Sequence, residues 1–224
     1  MKTFIRSAYV LVEKEIRSEF RTRYALNALM MFVITTLSII LFSFGGETVP
    51  TDVLCGLLWI VIFFSAMSGL SRTFVAEEER GTVMTLQLMT HSSTVLTGKL
   101  VYNCLLALAL NLFIGLAYQI IVPDFTVRTQ SIYWTTIVLG SLGLAVASTL
   151  LAAIIAKANT KGTLYPVLAF PILLPILLTA IKATKQAADG AFFAEVLQEF
   201  QIMLAFAVAY VALSTVVFEY IWND

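Results

Sequence analysis

The chain has 224 residues, of which 59% are apolar and only 12% charged, with a mean hydropathy of +0.90; soluble domains run near 45–50% apolar and about 25% charged. Fourteen basic residues balance fourteen acidic ones, so no broad basic field exists to hold nucleic acid. One histidine and two cysteines leave no His-based zinc site and no CxxC, and neither HExxH nor GxSxG occurs, so no catalytic residue and no metal ligand is expected.

In chain order, residues 3–24 come first. Ile5, Tyr9, Val12, Ile16 and Phe20 recur at three- and four-residue spacing, with Lys14, Arg17 and Arg21 on another face. The spacing predicts an amphipathic helix lying in the membrane interface. Glu13 with Arg17, and Glu19 with Arg23, are i,i+4 pairs in the favourable order. Acidic residues here and the lack of a continuous apolar core argue against a cleaved signal peptide.

Six apolar stretches follow, at about 25–44, 53–71, 101–121, 131–156, 162–181 and 200–218, none containing Asp, Glu, Lys, Arg or His. Each is long enough to cross about 30 Å of hydrocarbon as a helix. The expected fold is all-α: one polytopic permease domain over 1–224, with six spans. With the N-terminus inside, eleven of the fourteen basic residues fall on cytoplasmic segments. Only Arg128, Lys182 and Lys185 fall outside, and six spans return the C-terminus to the cytoplasm. Cys55 and Cys104 then lie near opposite membrane faces and are expected as free thiols.

Uncharged spans argue against a proton relay or an ion-coupled carrier. Their neutral polar residues, among them Asn103, Asn111, Gln119, Ser141, Ser148 and Thr149, are expected to join helices. Gly143 and Ala147 form a small-xxx-small step. Pro166, Pro171 and Pro175 bend the fifth span. Between Lys182 and Glu199 a short amphipathic helix at the outer surface would turn Phe192, Phe193 and Val196 to lipid.

The longest cytoplasmic loop, 72–98, carries the most information. It reads as an extension of the second span through Glu77, Glu78, Glu79 and Arg80, and a break at Gly81. A short helix with Val83, Leu86 and Met89 on one face follows, then a turn in which Ser92 or Ser93 caps the third span. A short amphipathic helix hung from two spans suits a groove in a cytosolic partner. Gly98-Lys99 lacks the rest of a phosphate-binding loop, so any ATP belongs to another subunit.

These residues carry a resemblance. The run Glu15-Ile-Arg-Ser-Glu-Phe-Arg-Thr-Arg23, the segment Gly69-Leu-Ser-Arg-Thr-Phe with the acidic cluster and Gly81, the pentapeptide Leu96-Thr-Gly-Lys-Leu100 and the stretch Leu164-Tyr-Pro-Val-Leu-Ala-Phe-Pro-Ile-Leu-Leu-Pro175 stand in the order and at the spacing of ABC-2 type permeases. More closely, they resemble the CcmB family, haem-exporter permease subunits of bacterial cytochrome c maturation. The resemblance implies a multi-pass protein of the bacterial cytoplasmic (inner) membrane. Its partners would be a CcmA-like ATPase, CcmC-like and CcmD-like membrane subunits and a CcmE-like haem chaperone, with two copies of the permease per complex. It implies a coupling helix over Glu77–Met89 contacting the ATPase, an interfacial elbow over 3–24, and haem as substrate rather than bound cofactor. No histidine lies in a span or on the outer side, so axial ligation by His is impossible there, leaving only Tyr, Met or Cys, and haem is either held by a partner or passed without a strong ligand. A general ABC-2 exporter of lipid, polysaccharide or drug, and a non-transporting scaffold of the haem-loading complex, are the alternatives.

Overall fold

The computed structural model describes residues 2–22, 24–44, 48–71, 73–74, 77, 81–157 and 165–223. Helices carry the architecture, and no strand occurs among the described residues. Among the described residues they include α1 (Lys2–Thr22), α2 (Tyr24–Ser43), α3 (Thr51–Leu70), α4 (Val83–Met89), α5 (Ser92–Ile121), α6 (Gln130–Lys157), α7 (Tyr165–Asp189) and α8 (Leu197–Asn223), with a 3-10 turn at Phe193–Glu195. Among the described residues, five helical stretches are long and apolar enough to cross a membrane: Thr51–Leu70, Ser92–Ile121, Gln130–Lys157, Val167–Asp189 and Leu197–Trp222. The stretch expected as the first span gives the shorter apolar helix Asn27–Ser43 within α2.

At the centre stands α6, flanked by α5, α7 and α8, with α3 against α5, α6 and α7. Close approach rests on glycine. A Cβ on Gly140 would lie 2.2 Å from the Trp59 ring of α3, and one on Gly143 would lie 1.9 Å from Ile176 Cδ1 of α7. Thus the small-residue step at Gly143 is where α6 meets the proline-bearing helix. That helix runs unbroken through Pro171 and Pro175. In contrast α8 turns Leu204, Val208 and Val216 outward, as expected of a face that meets lipid.

Several expectations need correcting. The helix that carries the third apolar stretch starts not near 101 but at Ser92, because Lys99, read as a boundary, is ion-paired inside the protein. Neither Ser92 nor Ser93 caps it: the N-cap is His91, which makes no side-chain cap bond. The helix of the fifth apolar stretch continues past 181 to Asp189, its added cations paired as Lys182–Glu199 (2.7 Å) and Lys185–Asp52 (2.8 Å). Only a 3-10 turn stands where the outer amphipathic helix was expected, since Gly190 adopts φ +89° and ends α7. Phe192 and Phe193 are exposed there, but Val196 is fully buried.

The elbow helix α1 also differs in detail. Its inward face is Ala8 and Leu11, seated on Gly98 of α5, where a Cβ would come within 2.9 Å of Leu11 Cβ. Ile5, Tyr9 and Phe20 remain exposed, the apolar face that suits the plane of a membrane interface. Arg17 pairs with Glu13 as the spacing predicts. Cys55 and Cys104 are free thiols.

Candidate functional site

The site forms where α1, the loop after α3, α4 and the beginning of α5 converge. Lys99, one turn past the buried Val95 and Leu96 of α5, is 1% exposed. An ammonium cannot stay charged in such a place without partners. Lys99 Nζ donates to the Thr73 carbonyl (2.5 Å), pairs with Glu77 Oε2 (2.9 Å) and reaches Glu15 Oε1 (3.4 Å). It also lies 4.8 Å from the centre of the Phe74 ring, a cation–π distance.

Glu77 is 5% exposed, and its other oxygen accepts from Lys14 Nζ of α1 at 2.7 Å. Burial pushes the Glu77 carboxyl up, but the charge of Lys99 and the hydrogen bonds from Lys14 and Lys99 outweigh it, leaving the pKa below the ordinary 4.5. For Lys14 burial acts downward, and the hydrogen bond and charge of Glu77 carry the pKa above 10.5. Glu77 thus clamps α1 to α5 and fixes the loop to both. Below it the clamp continues into the bundle: Thr73 Oγ1 donates to Asn103 Oδ1 (2.9 Å), and Asn103 Nδ2 donates to Thr149 Oγ1 of α6 (2.8 Å).

Beyond Glu77 the chain turns at Gly81, whose φ of +64° disfavours any side chain, and Thr82 N donates to the Glu77 carbonyl (3.1 Å). Then comes α4. Val83 and Leu86 are half-buried and pack on the core, whereas Met84 (76% exposed), Leu88 (88%) and Met89 (79%) point outward. Val83, Leu86 and Met89 therefore do not form one face: the first two anchor the helix and Met89 joins an outward methionine–leucine patch. Gln87 Nε2 donates to the Trp222 carbonyl at the end of α8 (2.7 Å). Trp222 stacks on Phe218 (5.3 Å), and Phe218 meets Phe74 (5.5 Å), returning to Lys99. Beside α4 an open cleft is lined by Phe4, Ser7, Met89, Thr90, His91 and Ser93.

Of the residues singled out from sequence, the structure brings Glu77, Gly81, Val83, Leu86 and Met89 together. Glu78, Glu79 and Arg80 lie outside the described residues. Sequence reasoning missed Lys99, Lys14 and Gln87. The available signal was Lys99 itself, a single cation between a polar turn and a long apolar run that had to find an acid. No group of three or more His, Cys, Asp and Glu side chains able to hold a metal occurs among the described residues.

Comparison with curated proteins returns no match. A family model described as CcmB protein matches residues 6–220, which takes in most of α1, the clamp, α4 and all the long apolar helices but for the last residues of α8. The chain therefore belongs to the CcmB family, the multi-pass membrane permease component for haem export in cytochrome c maturation.

Proposed function

We propose that this chain is the membrane half of an ATP-driven complex, in which α4 receives the motion of a CcmA-like ATPase and the Glu77 clamp passes it to the spans. The observation that carries this reading is the division of α4. Met84, Leu88 and Met89 face out, while Val83, Leu86 and Gln87 tie the helix to the protein's own core and to α8. A helix gripped on one side and apolar on the other suits a groove in a partner. The acidic run Glu77, Glu78, Glu79 with Arg80 leads into it, Glu77 serving internally.

In this reading the chain is a single permease domain with six spans. Asn27–Ser43 is the first, both termini are cytoplasmic, and the loop carrying α4 meets the ATPase in the cytoplasm of a bacterium. Eleven of fourteen basic residues support that orientation. One permease and one ATPase make half of a symmetric machine, so two copies assemble, with CcmC-like and CcmD-like subunits and a CcmE-like chaperone receiving haem. Because the single histidine, His91, stands beside α4, either a partner holds the haem or this chain passes it without a strong ligand. The same observation supports a second reading, in which the chain organises the haem-loading complex and haem does not pass through it.

The test is co-purification of the ATPase with Leu88→Asp and Met84→Asp variants. Both side chains are exposed, so the membrane part keeps its size-exclusion profile. ATPase yield is expected to fall at least tenfold, and wild-type yield from both variants would overturn the coupling role. ATP-dependent release of the loaded chaperone without haem movement in reconstituted vesicles would select the second reading.

A further inference from the structure

The polar residues inside the bundle are arranged in levels. Asn103 of α5 bonds Thr149 of α6, and eight residues further along α5, Asn111 Nδ2 donates to Ser141 Oγ, eight residues back along α6 (2.9 Å). The steps match because the two helices run antiparallel with the same rise. Ala107 and Ala145, each midway, are both buried and small enough to keep the helices close.

Helix α3 follows the same rule against α5. Thr73 meets Asn103, and a Cβ on Gly69 would lie 3.9 Å from Leu106 Cδ2. Four residues back from Gly69 along α3 is Ser65; five residues on from Leu106 along α5 is Asn111. Ser65 is thereby level with Asn111 and Ser141, about 12 Å deeper in the bundle. The two levels have the same chemistry: a hydroxyl from α3 or the segment just past its end, an amide from α5 and a hydroxyl from α6.

They differ in completion. At the first level both bonds are made. At the second, Ser65 Oγ and Asn111 Oδ1 reach no partner among the described residues, although both side chains are fully buried. Nor does Ser65 bond back to its own helix, as Ser141 does to Ile137 and Thr149 to Ala145. Leaving two such groups unsatisfied inside the bundle is strongly unfavourable. Serines stand at this level where the first has threonines, each side chain one methyl group smaller.

We propose that Ser65, Asn111 and Ser141 form a hydration site in the middle of the helix bundle, holding one water that donates to Asn111 Oδ1 and bonds Ser65 Oγ. Water fits because one orphan atom is a pure acceptor and the other both donates and accepts. Bridged bonds are nearly as favourable as direct ones and re-form easily. The α3–α5 seam is therefore fastened directly at Thr73 and yieldingly at Ser65, and α3 can pivot about its cytoplasmic end.

The deciding experiment is an experimental map of the intact complex at a resolution that shows ordered solvent. Expected is density within hydrogen-bond distance of both Ser65 Oγ and Asn111 Oδ1. A direct bond between them, or an empty junction, overturns the proposal. On the purified permease, Ser65→Thr adds a methyl where the water sits and is expected to lower the thermal midpoint; a raised or unchanged midpoint means an empty cavity and overturns it. Ser65→Ala and Asn111→Leu are expected to be non-additive, the double variant losing no more than the worse single, and additive losses count against a shared water.

Discussion

Lys99 Nζ and Glu77 Oε2 stand 2.9 Å apart with 2% and 7% of their side chains exposed. Removing one partner of such a pair leaves a buried charge, at about 3–5 kcal/mol. Lys99→Met is therefore expected to be severely destabilising, since Glu77 keeps only Lys14, which is 46% exposed. Replacing both, as in Glu77→Met with Lys99→Met, is expected to be milder than either single change. Thermal midpoints of the detergent-purified variants check this. A double variant worse than both singles would show that the pair adds net stability.

The pH dependence follows from the same clamp. Glu77 has a lowered pKa in the fold, so its contribution is present above the ordinary 4.5 and lost as pH falls through the lower folded value. Lys14 has a raised pKa, so its contribution is full below 10.5 and lost as pH rises through the higher folded value. The clamp is closed across the neutral range. Acidifying to about pH 3 is expected to lower the midpoint of the wild type more than that of Glu77→Gln. Equal acid sensitivity of the two proteins would remove Glu77 from the account.

Two glycines of α6 separate rigid from yielding contacts. A Cβ on Gly140 runs into the Trp59 indole, which is pinned by its Nε1 donating to Thr184 Oγ1 at 2.8 Å. A Cβ on Gly143 meets the end of Ile176, which can rotate away. Gly140→Ala is expected to lose about 1–3 kcal/mol by overpacking, and Gly143→Ala distinctly less. Midpoints in the reverse order would mean that α7, not α3, is the rigid neighbour.

The helices were legible from the sequence because lipid demands long apolar runs, and each of the six stretches falls within or largely within a helix. What escaped was pairing across distance. Lys99 marked an end to the third span only while its partners, 22 and 84 residues away in Glu77 and Glu15, were unseen. Likewise Val83, Leu86 and Met89 share a spacing, but α8 approaches from one side and takes Gln87, which sets which residues turn in. Asn111 and Ser141 were recognised as joining residues, and they do join helices; Ser65, without an amide beside it in sequence, gave no signal.

Gln87 allows binding and transmission to be separated. Its amide holds α4 to the Trp222 carbonyl, and the outward side chains Met84, Leu88 and Met89 take no part in that bond. If α4 passes motion to α8 through this bond, Gln87→Ala leaves ATPase co-purification at wild-type yield while ATP-dependent haem delivery falls several-fold. Gln87→Glu tests the same link with bulk retained, since a carboxylate lacks the amide donor and faces a carbonyl it cannot bond. It is expected to behave like the alanine variant. Delivery unchanged in both variants would place the transmission wholly in the Glu77 clamp. Loss of co-purification in both would mean that Gln87 orients the docking face itself, because a helix freed from α8 no longer presents Leu88 and Met89 together.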